Sequence, residues 1–222
     1  MVRKALLVCG ILSSLLYIVM NIFVPLQWEA YSLTSQTVSE LSAIGAPTRP
    51  LWVPLGIAYT LLVAAFGLGV WKSAGRSWSL HVLGGLLIAS GIVGLGWPPM
   101  HQRDALAVGG GTLTDILHIV WTAVTVLLFM LEIGFGAAAF GKRFRVYSFA
   151  TMVILVAFGI LTGLDAPGVS ANLPTPLIGV WERIQIGAFM LWIIVLAFTL
   201  LFGAAIHAEQ SFVADLRKSA PA

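Results

Sequence analysis

Charge is what this sequence has least of. Only 9% of its 222 residues are Asp, Glu, Lys or Arg, where a water-soluble domain carries about 25%. Another 59% are hydrophobic. A single soluble core could not hide that much apolar surface, so the composition calls for lipid as the solvent. Cysteine is nearly missing as well. Cys9 stands alone, which rules out an internal disulfide and leaves the redox compartment illegible. The signatures HExxH, HxxxH, CxxC and GxSxG do not occur, nor does a glycine-rich phosphate loop. No lysine stands mid-span to form a Schiff base. A zinc site usually takes three protein ligands. Only His101 and His118 lie toward the end of the bundle that carries the long connections, so no metal and no other cofactor is expected. The net charge of +3 is spread over short loops rather than gathered in a patch, which argues against nucleic acid as a partner.

What is present is a series of long apolar runs. A helix needs about 20 apolar residues to cross the hydrocarbon core. Six segments qualify: Ala5–Val24, Leu51–Val70, Leu80–Trp97, Ile116–Phe140, Val146–Leu164 and Gly179–Ile206. Unsatisfied peptide groups are costly in lipid, so these runs should be helices. The expected fold is all-α: one transmembrane domain over residues 1–222, a polytopic six-helix bundle. Arg3 and Lys4 ahead of the first run resemble a signal peptide. The run is longer than an h-region of about 7–15 residues, and Pro25-Leu26-Gln27-Trp28 offers no cleavage site, so a retained first helix is expected. The third run carries Gly84, Gly85, Gly91, Gly94 and Gly96, a spacing that lets a neighbouring backbone come close.

Nine of the twelve basic residues fall on one side of the expected bilayer: Arg3, Lys4, Lys72, Arg76, Lys142, Arg143, Arg145, Arg217 and Lys218. The positive-inside rule puts that side, and both termini, in the cytoplasm. Arg49, Arg103 and Arg183 fall on the other side, with Glu29, Glu40, Asp104, Asp115, Asp165 and Glu182. The outer connections, about 26–50, 98–115 and 165–178, are the long ones. Thr37-Val38-Ser39-Glu40 and Thr112-Leu113-Thr114-Asp115 both have the spacing of a capping box. Val38, Leu41 and Ile44 then follow at helical spacing before Gly45 and Pro47, which predicts a short outer helix over Val38–Ile44, on or dipping into the interface. Leu55–Thr60 resembles Leu117–Thr122, which predicts that spans two and three echo spans four and five as two parallel hairpins.

The most informative pattern is in the fourth span. Asp115, His118, Thr122, Thr125, Phe129 and Glu132 follow one another at three- or four-residue steps, on one helix face. Ionisable groups within a membrane normally face the bundle interior or a wet cavity, so this face should turn inward. Asp115 and His118 stand three apart and are able to touch. Such a pair suits a general base or a proton carrier, and the two are the candidate catalytic residues; their bonding to neighbouring helices for structure alone is the equal alternative. Glu132 lies deeper, as a proton relay or, more simply, the partner of a base from the inner loops. The first span offers Ser14, Tyr17 and Asn21 at similar steps. Glu40, His101, Arg103, Asp104, Asp165, Glu182 and Arg183 complete a candidate polar site at the outer leaflet. Arg183 would meet Asp165 or Asp115.

Ser39-Glu40-Leu41-Ser42-Ala43 with Gly45-Ala46-Pro47, the Gly-rich span closing on Trp97-Pro98-Pro99, the Asp115/His118 helix and Trp181-Glu182-Arg183 resemble the bacterial membrane family catalogued as domain of unknown function 998. That resemblance implies six helices and a bacterial inner membrane, and no activity. The family pattern has Phe-Pro and an acidic residue after span three; here that place reads Trp97-Pro98-Pro99-Met100-His101, with Asp104 later. Three functions fit the residues. One is binding or transport of a small or lipid-like ligand at a polar outer cavity, with membrane lipids as partners. Another is a lipid hydrolase using Asp115 and His118. The third is a structural or accessory subunit. The first is the reading adopted.

Overall fold

A computed structural model describes residues 1–109 and 111–219, with residues 204–219 as helical backbone only. It contains seven α-helices and no strand among the described residues. They are α1 (Val2–Phe23), α2 (Arg49–Ser73), α3 (Trp78–Leu95), α4 (Arg103–Gly109), α5 (Leu113–Ala139), α6 (Lys142–Ser170) and α7 (Ile178–Ser219). All but the short α4 are long and apolar enough to cross a membrane. Leu12, Leu15, Ile119, Val153, Ile160 and Phe198, among many others, are large, apolar and exposed, a surface made for acyl chains rather than water. The protein is a multi-pass membrane protein. Arg217 and Lys218, counted in the charge asymmetry, lie where side chains are outside the described residues.

The crossing helices close into a ring. In it α1 packs on α2, α2 on α3, α3 on α5, α5 on α6, α6 on α7, and α7 back on α1. The turns between α2 and α3 and between α5 and α6 are short. They share one end of the ring with the N-terminus; this is called the basic end. The long connections share the other, the loop end.

The glycines of α3 do what their spacing predicts. A Cβ at Gly84 would stand 2.7 Å from the Trp71 backbone nitrogen, and one at Gly91 would stand 2.7 Å from the Thr60 carbonyl oxygen. Gly67 of α2 answers them, 2.7 Å from the Ile88 nitrogen. The two backbones therefore touch, with no room for a side chain between them. The α5/α6 hairpin has no such seam, since Gly134 and Gly163 face open space. The likeness of Leu55–Thr60 to Leu117–Thr122 does not extend to the packing.

The core follows the ring. Leu7, Phe66, Leu83 and Leu87 fill one side, and Ile133, Leu155, Trp192 and Leu196 fill the other. Trp192 Nε1 donates to Ser148 Oγ at 2.9 Å, so the indole is buried without an orphaned N–H. Phe129 of α5 stacks on Phe189 of α7, with centroids 3.6 Å apart, and bridges the ring near its middle.

At the loop end the expected helix over Val38–Ile44 is a single 3-10 turn, Ser39–Ser42. Val38 and Leu41 are buried against Met20, Val24 and Trp52, so the turn is plugged into the top of the ring. Ile44 N donates to Met100 O at 2.7 Å, which ties this connection to the one after α3.

Candidate functional site

Two polar assemblies lie on the axis of the ring. The first is a cap over the loop end. Both expected capping boxes are present. Glu40 Oε2 accepts from Thr37 N at 2.7 Å and from Thr37 Oγ1 at 3.0 Å. Asp115 Oδ2 accepts from Thr112 N and Thr112 Oγ1, each at 2.8 Å.

Each cap carboxylate also takes a partner from the segment after α3. Arg103 donates from Nε to Glu40 Oε1 at 2.6 Å and from Nη2 to Oε2 at 2.9 Å. That is a two-pronged ion pair around a carboxylate sealed from solvent. The rest of the guanidinium is spent on Ser35 O (2.7 Å), Thr175 Oγ1 (2.8 Å) and Leu173 O (3.4 Å). One side chain thus staples all three long connections. His101 donates to Asp115 from its backbone N at 2.7 Å and from Nδ1 at 3.0 Å.

These bonds correct the expected contact between Asp115 and His118. Asp115 and His118 share a helix but not a hydrogen bond. The capping box and His101 take the Asp115 oxygens, which sit at the helix start. His118 Nδ1 instead donates to Pro98 O at 2.8 Å, and its ring meets Trp97 edge to face. Arg183 is likewise redirected. It meets neither Asp165 nor Asp115; it donates to Leu33 O, Gln36 O and Gly179 O at 2.9, 3.2 and 3.0 Å, and to the Tyr31 hydroxyl at 2.7 Å. The Tyr31 hydroxyl donates onward to Thr37 O at 2.7 Å. Burial pushes its pKa up to about 12, so it keeps its proton. Asp104 is exposed on α4 and Asp165 is half-buried on α6; neither joins the network. Among the described residues no three His, Cys, Asp or Glu side chains gather as metal ligands do.

The second assembly is a cavity of about 330 Å³ inside the ring, below the cap. Its roof is Val38, Ser39, Ser42 and Glu182; Glu182 is held there by the Val38 N–H, at 2.5 Å. Its walls are mainly apolar: Val63, Ile57, Phe129, Ile186, Phe189 and Met190. The fourth-span stripe enters it as expected from Thr122 onward, through Thr125 and Phe129 to Glu132. From Thr122 to Glu132 the lining runs about 15 Å along the helix. His118 and Asp115 stand above it, in the cap. Of the first-span stripe only Tyr17 lines the space; Ser14 and Asn21 bond back to the Gly10 and Tyr17 carbonyls of their own helix.

Tyr59, Thr60, Ser90 and Gln185 also line it. Sequence reasoning did not select them, and Ser90 had no periodic signal at all. Val53, Ile57 and Leu95 line the cavity while remaining 37%, 45% and 50% exposed. Gly94 at the end of α3 abuts Thr60. From that level α2 continues to Arg49, about 16 Å further at 1.5 Å per residue. Val53, Ile57 and Leu95 thus reach both the cavity and the outer surface of the ring, at the level where α3 stops short of its neighbour.

Glu132 lies deepest of the charged groups. It is 0% exposed. Ser90 Oγ donates to its Oε1 at 2.5 Å, and its Oε2 has no partner among the described residues. The expected base from the short turns does not reach it. Arg145, one of those bases, donates to Ala137 O instead, at 3.2 Å. A buried carboxyl in this position has one oxygen in hand: charged, it accepts one more donor; protonated, it gives one proton.

Fold and cavity together define a class: a six-helix membrane protein whose helices enclose a polar-bottomed interior space. The family model described as "Protein of unknown function (DUF998)" matches residues 11–199, and the chain belongs to that family. No curated protein and no solved structure matches it.

Proposed function

We propose that this protein binds a small or lipid-like molecule inside its helix ring and transports it. The observation that carries the reading is the cavity. Its 330 Å³ falls within the range of about 300–1,000 Å³ typical of ligand pockets. It is mostly apolar with a few convergent polar groups, and we read the half-exposed Val53, Ile57 and Leu95 as the frame of a side mouth. A molecule already dissolved in the bilayer would enter through that mouth without crossing water. The charge asymmetry supports a loop end facing outward and cytoplasmic termini, and the family resemblance suggests a bacterial inner membrane. Lipids are the natural partners. His118 and Asp115, the residues first proposed for chemistry, serve here to close the roof, while Glu132 and Glu182 face the ligand.

Cysteine accessibility tests this. Cys9 is the single cysteine, so Cys9→Ser provides a background free of thiols. On it, Thr125→Cys should react with a thiosulfonate reagent added from the loop side, and adding Ile57→Trp at the mouth should slow that reaction. Asp104→Cys, exposed on α4, is the control for sidedness. An unreactive Thr125→Cys beside a reactive Asp104→Cys would show that the space is closed, and the reading would fall.

A further inference from the structure

We infer that the cavity selects a hydrophobic amine, held through its protonated nitrogen by Glu132. The assignment rests on the ligand-binding reading above and names the ligand's class.

The deep end of the cavity gathers acceptors around Glu132, while the neutral donors that line the same space belong to Tyr59 and Gln185. Ser90 spends its hydroxyl proton on Glu132 itself. Thr60 donates to Ile57 O at 2.8 Å and Thr125 to Trp121 O at 2.9 Å, so both hydroxyls keep only lone pairs for a guest. Glu132 Oε2 is fully buried and unpartnered there. A charged N–H donor is the group that completes such a set. A guest without a donor would leave Oε2 without a bond, which is costly in an apolar site, and a neutral hydroxyl would supply only the weaker, singly charge-assisted bond. An anionic guest would face Glu132 and Glu182 across a low-dielectric space. The one basic side chain among the described lining residues is Arg49, at the cap, where it donates to the Ser42 carbonyl. The rest of the guest would lie on Phe129, Phe189, Ile186 and Met190, and the two stacked phenyl rings suit a cation close to an aromatic face.

The test is a titration of the full chain in nanodiscs of zwitterionic phosphatidylcholine, so that the bilayer itself adds no net charge. Three probes share one tail and differ only in head: decylammonium, decanol and decanoate. Binding is read by tryptophan fluorescence, since Trp52 and Trp97 line the cavity. Decylammonium should bind at least about tenfold more tightly than decanol, the worth of one charge-assisted hydrogen bond, and decanoate more weakly than either. Glu132→Gln should bring the ammonium down to the level of the alcohol while alcohol binding stays. If Glu132→Gln does not fold, Glu132→Asp replaces it; withdrawn by one methylene, its carboxyl should lose most of the preference. Equal affinity for ammonium and alcohol in the unaltered chain overturns the amine assignment and leaves the cavity reading standing. So does a preference that survives both substitutions. Saturation by none of the three probes removes the cavity reading and this inference together.

Discussion

The cap and the cavity use the same chemical vocabulary and treat it in opposite ways. In the cap Glu40 and Asp115 are crowded with donors. Glu40 receives Thr37, Gln36 and a two-pronged Arg103, and Asp115 receives Thr112 and His101. In the cavity Glu132 has a single serine and an empty oxygen. A fully satisfied polar network makes a rigid unit, whereas a half-satisfied one costs stability. Natural folds tolerate the second chiefly where it serves a function. The contrast thus separates a lid, built for strength, from a site, built to receive something.

The sharpest way to break this comparison is to cut the staple. Arg103→Met would leave Glu40 buried and charged without its counter-ion, and one broken buried pair costs about 3–5 kcal/mol. Thermal unfolding in detergent, followed by tryptophan fluorescence, should drop well below that of the unaltered protein. Glu40→Gln combined with Arg103→Met should recover much of the loss, because the burden is the unpaired charge rather than the missing bond. Equal instability of the single and double variants would mean that the cap is held by something other than this pair.

Next comes the seam between α2 and α3. Gly84→Ala would press a methyl into the Trp71 backbone. Overpacking of this kind costs about 1–3 kcal/mol, and the melting temperature should fall accordingly. Gly163→Ala on α6 faces open space and should leave it unchanged. If the two substitutions behaved alike, the tight-hairpin assignment would fail.

A smaller effect separates the two residues first taken as a catalytic pair. Asp115→Asn weakens a helix cap and two bonds to His101, a loss of about 1–2 kcal/mol. His118→Ala removes one bond to Pro98 O and an aromatic contact, about 1 kcal/mol. In a double-mutant cycle the two losses should add, because the side chains do not bond each other. A coupling energy above about 0.5 kcal/mol would restore the pair.

These expectations also mark where the sequence was informative. The six spans were legible because lipid demands length and apolarity from each segment separately. The two capping boxes were legible because their partners lie three residues apart. The glycine seam and the inward face from Thr122 to Glu132 were legible because helix periodicity carries them. What escaped was non-local. Arg103 finds Glu40 across 63 positions, Ser90 finds Glu132 across 42, and Arg183 reaches the carbonyls of the first connection across some 150. Nothing in local spacing announces such partners. The expected Asp115–His118 contact failed for a related reason: adjacency on a helix face gives the opportunity to bond, and competing donors from His101 and Thr112 decided the outcome.

The smallest and most telling effect concerns Glu132 itself. Glutamine has the same shape and keeps a carbonyl oxygen for the Ser90 hydroxyl, so the bond at 2.5 Å survives in kind. It removes the ionisable group from a place where no base comes near among the described residues. Burying a charge without a counter-ion is unfavourable, and neutral replacement is then neutral or stabilising. Ligand-free Glu132→Gln should therefore unfold at or slightly above the temperature of the unaltered protein, by up to about 1 kcal/mol. Ser90→Ala should unfold below it, since it strips Glu132 of its one donor among the described residues. The opposite sign would place Glu132 with the carboxylates of the cap, as a strut whose partners hold the helices together, and the division between lid and site would vanish with it.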